Sequence, residues 1–240
     1  MIEGLLDSRN KDLFSDISQV IRINIELIHN TDVYTCYSEQ YASTIFVPAS
    51  NISSSAFTHE LLHLYLRSKG VFIGARLTRK LSSSANLSSI YTPLLLDHIS
   101  NSLDHMKMLP IFLSLGYDDH EFIIDYYEDK CPMSEIKLLE KEWTIPPLKN
   151  HLEFYLEKYF AIQACPNPKL EYLEQLKTLE QLEPNLFKIN QELIQNWQRM
   201  SLQEDSEPEK KYIDIGEEYI VKIKKWHQNL PNQQNISHQK

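Results

Sequence analysis

From residue 56 to residue 67 the chain contains no glycine or proline and is apolar on almost every side of a helix. Phe57, Leu61 and Leu64 fall on one side, and Leu62 and Tyr65 add to the others. Serines at 53, 54 and 55 can cap the start, and Gly70 can stop the end. A helix apolar nearly all round is a buried one. Yet this helix carries two imidazoles and a carboxylate, in the order His59-Glu60-Leu61-Leu62-His63. Residues four apart lie one turn above each other, so both rings leave the face shared with Ala56 and, roughly, Leu66. Two buried rings need partners, and one metal ion is the simplest partner for both. Glu60 then lies close enough to act on a water held by that metal.

Such a pentapeptide arises by chance in roughly one chain in fifty of this composition, so a third ligand matters. Residues 91–116 hold the candidates. Tyr91-Thr92-Pro93 opens a helix well, because proline fits the first turn. An apolar run over 94–109 follows, with Pro110 and Gly116 expected to break or end it. Asp97, Asn101, Asp104, His105 and Met108 recur along it at three- and four-residue spacing. That stripe has the composition of a zinc ligand with its supporting shell. Adjacent helical residues diverge by about 100°, so only one of Asp104 and His105 can point squarely at a metal. Imidazole suits zinc and leans the choice towards His105, with Asp104 nearly equal. Asn101 and Asp97 are the candidates to support the ligands or meet substrate.

These residues resemble the zincin metallopeptidases, whose HExxH helix packs beside a second helix bearing the third ligand. The match covers residues 59–63 well and 101–105 loosely. No Asn-Glu-x-x-x-Asp signature follows, and no third histidine stands close behind His63. The segment 101–118 looks like that of an uncharacterised bacterial subgroup. The resemblance implies a zinc-dependent hydrolase, a site-specific metallopeptidase in which Glu60 activates a zinc-bound water. It also implies that the strand before the active-site helix, residues 41–47 ending at Pro48, forms the sheet edge on which substrate lies extended. The substrate would be a protein or peptide, down to a single specific protein. A tyrosine among Tyr91, Tyr117, Tyr126 and Tyr127 could supply the second oxyanion donor.

The rest of the chain fills out an α+β, mostly helical fold. Residues 5–21 carry a helical pattern, and 21–28 and 32–37 read as further strands of a small mixed sheet. Residues 69–90 read as a long connection, with Arg76, Arg79 and Lys80 a solvated basic cluster. Helices are expected over 135–142, 149–164, 169–182, 183–203 and 209–229, with Leu170, Leu173, Leu176, Leu179 and Leu182 as one buried stripe. This divides the chain into a metal-binding domain over 1–130, a helical region over 131–230 and a flexible tail over 231–240. The helical region has surface enough to hold a partner. The alternative function is therefore a non-catalytic interaction or regulatory module with a structural or degenerate metal site.

Composition narrows the partners. A formal charge of −9 and a pI near 5.5 argue against nucleic acid, since no basic stripe meets phosphates. No apolar run is long enough for a membrane span. The first residues carry an acid and lack a signal-peptide core. Cys36, Cys131 and Cys165 are odd in number and widely spaced, unlike a disulfide framework, so a reducing cytoplasm is expected.

Overall fold

The computed structural model describes residues 3–39, 41–202 and 207–231. The expected tail over 231–240 lies, apart from Pro231, outside them. The described chain is α+β and mostly helical, as expected, with a small three-stranded mixed sheet. None of its helices is long and apolar enough to cross a membrane. It forms two compact units, one from the described parts of 1–71 with 104–128 and the other from those of 72–103 with 129–240. The division thus differs from a single cut at residue 130.

The first unit opens with α1 (Lys11–Ser18), β1 (Arg22–Ile28), β2 (Thr35–Ser38), β3 (Ala42–Pro48) and α2 (Ser54–Ser68). α1 is much shorter than the helical pattern over 5–21. Asn10 Oδ1 accepts from the Asp7 amide at 2.9 Å, and Asp7 Oδ1 accepts from the Arg9 amide at 2.7 Å. Such local side-chain bonds hold the preceding segment in turns and compete with the helix. Val20, within that expected helical pattern, is exposed.

β3 pairs in parallel with β1 and antiparallel with β2, giving the order β1-β3-β2. The strand before α2 is therefore the centre of the sheet, and the edge role expected for it passes to its neighbours. Ile45 and Val47 point from β3 into a core with Ile17 of α1 and with Phe57, Leu61 and Leu64 of α2. One face of α2 is thereby sealed against sheet and helix. Each of those side chains contributes roughly 1.5–3 kcal/mol on burial. The opposite face bears His59 and His63.

α4 (Pro93–Ser114) contributes residues 104–114 to this unit and contains Pro110 within it. The expected break is absent because Met108 and Phe112, either side of the proline, are wholly buried. Their burial offsets a cost of about 3 kcal/mol for the lost backbone hydrogen bond. The helix ends at Ser114, and Gly116 just beyond it has a φ of +89° that suits glycine and turns the chain towards Tyr117.

The second unit contains α3 (Ile73–Ser82), the start of α4, α5 (Met133–Glu142), α6 (Lys149–Gln163), α7 (Leu173–Leu182), α8 (Pro184–Arg199) and α9 (Pro208–Gln228). α3 replaces much of the connection expected over 69–90. Ile73, Leu77 and Leu81 recur every four residues and are buried. Arg76 is not a solvated loop residue: its guanidinium is 2.5 Å from Glu217 of α9, with Lys80 at 3.6 Å from the same carboxylate. The leucine stripe also fails, with Leu179 fully buried and Leu173 74% exposed. Steps of three residues turn 300°, so such a row drifts by about 60° per step and cannot hold one face.

Candidate metal centre

Ser53 starts α2 in extended backbone and its hydroxyl accepts from the Ala56 amide at 3.2 Å. That fixes the helix phase, and His59 and His63 emerge one turn apart with ring centroids separated by 5.2 Å. α4 brings His105 to both, at 4.8 Å from His59 and 5.6 Å from His63. One ligand nitrogen from each ring lies within 4.8 Å of the others, the one such group of three among the described residues. Nitrogens at 2.0–2.1 Å from a tetrahedral ion stand about 3.4 Å apart, so modest ring rotations bring the three to bonding distance.

The two neighbours on α4 divide their tasks. His105 turns to the pair of rings, while Asp104 Oδ2 lies 3.2 Å from His63 Nδ1. The carboxylate accepts from that nitrogen, which leaves Nε2 of His63 for a metal. Asp97 and Asn101 are exposed. Asp104 is the carboxylate that touches a ring of the cluster.

Burial, then the neighbouring His63, push the pKa of His59 down to about 3, against a hydrogen bond to the Phe122 main chain that works the other way. The ring is thus held neutral, as a ligand must be. Its Nδ1 is buried with no hydrogen-bond partner. An orphaned imidazole nitrogen beside two more imidazoles fits a soft-to-borderline cation such as zinc. Glu60 is buried too. Burial raises its pKa above the usual carboxylate range, opposed by the charges of His63 and Arg67. A carboxylate so placed is a stronger base than one in water.

Phe122 closes one side, with its ring 4.8 Å from His59 and 5.3 Å from His105. It follows a single 3-10 turn, Asp119–Glu121, fixed by reciprocal capping between Asp118 and Glu121. The Asp-x-x-Glu spacing was visible in the sequence as a turn signal, but its position against His59 was not. Among the tyrosines, Tyr91 is buried in the second unit on Tyr219, Tyr117 is bonded to Ser54, Tyr126 donates to Asp119, and Tyr127 is exposed. The engaged hydroxyls of the first three argue against the oxyanion role, and nothing places Tyr127 at the cluster. No family model, curated protein or solved structure matches the chain.

Proposed function

We propose that the chain is a zinc-dependent hydrolase, a metallopeptidase whose ligands are His59, His63 and His105. The observation that carries this reading is the convergence of three imidazoles beside a buried glutamate of raised pKa. Structural zinc sites take four protein ligands, whereas catalytic ones take three and keep a position open. Three donors among the described residues therefore favour catalysis over a structural role. Bound zinc supplies positive charge that polarises a carbonyl and lowers the pKa of a water towards neutrality.

The chain's own groups do the rest. Asp104 holds His63 in the tautomer that presents Nε2. Glu60 takes a proton from the attacking water and returns it to the leaving amine. β2, at the sheet edge, replaces β3 as the strand on which an extended peptide can pair. The second reading, a non-catalytic interaction module, is separated by experiment. Elemental analysis of wild type and His63→Ala should give about one zinc per chain and near none. Glu60→Gln should keep its zinc and lose roughly 10²–10⁴-fold of its turnover on a peptide library. No zinc in wild type after reconstitution would sink the metal site. Zinc with no cleavage by wild type would favour the module.

A further inference from the structure

Around Tyr117 a network of hydrogen bonds runs through the first unit. Asn10 Nδ2 donates to Thr58 Oγ1 at 2.8 Å, and Thr58 is 3.0 Å from the Tyr117 hydroxyl. That hydroxyl is 2.7 Å from Ser54 Oγ, which donates to Asp7 Oδ2 at 2.7 Å. Each hydroxyl has one proton, so the order is fixed by its end. Ser54 spends its proton on the carboxylate and Tyr117 gives its proton to Ser54, while Thr58 shares its single proton between Tyr117 and the Ser54 carbonyl 2.7 Å away. Asn10 and Thr58 are fully buried, and Tyr117 nearly so. Arg9 binds the same Asp7 carboxylate at 2.6 Å and lies 3.8 Å above the Tyr117 ring.

The same ring begins a second path. Tyr117 stacks on Phe112 at 4.8 Å, Phe112 meets Phe122 at 5.2 Å, and Phe122 meets both His59 and His105. His59 also hydrogen-bonds the Phe122 main chain. A ladder of packed aromatics therefore joins a charge-terminated anchor to the rings of the cluster. Apolar packing alone lets rings slide, and the directional bonds at the far end remove that freedom.

We propose that Tyr117 is a positioning residue for His59, holding that ring through Phe112 and Phe122 from an anchor on Asn10, Thr58, Ser54 and Asp7. Only the zinc arm of its test rests on the function proposed above. Tyr117→Phe is the clean variant, because the ladder stays while the anchor is cut, and Thr58 keeps its bond to the Ser54 carbonyl at 2.7 Å. Ile45→Val, in the wholly buried core of β3, controls for a general loss of stability.

Zinc affinity by chelator competition should fall about tenfold in Tyr117→Phe and stay unchanged in Ile45→Val. In zinc-free protein, the NMR signals of the His59 ring should move in the first variant and not in the second. His59 signals left in place by Tyr117→Phe overturn the proposal, as does an equal effect of both substitutions. If wild type takes up no zinc, the proposed function falls and the NMR comparison alone decides this inference.

Discussion

Helices α2 and α6 are each fifteen residues long, and each buries seven of them. Both carry histidine, and in both a histidine nitrogen is buried without a hydrogen-bond partner: Nδ1 of His59 and Nδ1 of His151. The surroundings differ. His151 stacks on Trp143 with centroids 6.3 Å apart, and its nearest carboxylate, Glu142, is 4.0 Å away and more than half exposed. No second imidazole joins it in a metal-binding group among the described residues. His59 has two such neighbours, a carboxylate behind one of them, and Glu60 beside it. An orphaned nitrogen is thus common to a core histidine and a candidate ligand. Convergence of donors separates them.

That comparison breaks first at the metal. His59→Ala should take zinc from about one per chain to near none, while His151→Ala should leave it unchanged. Both variants need circular dichroism to show that they fold. Equal zinc in the two would mean that the HExxH cluster is a core feature no different from α6.

The carboxylates sharpen it at smaller scale. Asp104→Asn keeps an acceptor for His63 Nδ1 but removes the charge, so zinc affinity should weaken roughly tenfold. Glu142→Gln should change neither zinc affinity nor turnover, since a long, exposed pair contributes little. An Asp104→Asn chain that binds zinc like wild type would remove the orienting role argued for Asp104.

Which of these features the sequence disclosed depends on how local they are. α2 was legible because its cap, its apolar faces and its HExxH spacing all lie within twenty residues or so. α5, α6, α8 and α9 were legible within a few residues, because their apolar positions recur at helical spacing and prolines mark two of their starts. α3 was missed because its charged residues read as a loop, and Glu217, which pairs with Arg76 and Lys80, lies far along the chain. The place of β3 in the sheet was equally hidden: strand order is a property of pairing, and no residue of 42–48 encodes a neighbour. Asp104 and His105 were both named, but spacing cannot give the rotation of α4 about its own axis. Packing sets that rotation, as it sets the nearness of Phe122 and Tyr117 to the rings.

The finest contrast lies at the helix N-termini. α6 begins after Leu148 with no side-chain cap, whereas α2 is capped by Ser53 and tied through Ser54 to Asp7. The bonds from Arg9 and Ser54 hold the Asp7 carboxyl well below the usual carboxylate range, against its partial burial. A carboxyl whose pKa is lower folded than unfolded adds stability above its unfolded value, near 3.9, and loses it as pH falls towards the folded value. In zinc-free protein, the gap in melting temperature between wild type and Asp7→Asn should therefore be full above about pH 5 and narrow steadily below pH 4. Every other ionisable group is common to the two proteins, so the gap isolates position 7. A gap that stays constant to pH 3 would show that Asp7 acts through its shape and hydrogen bonds, and that the N-terminus of α2 is held no more electrostatically than that of α6.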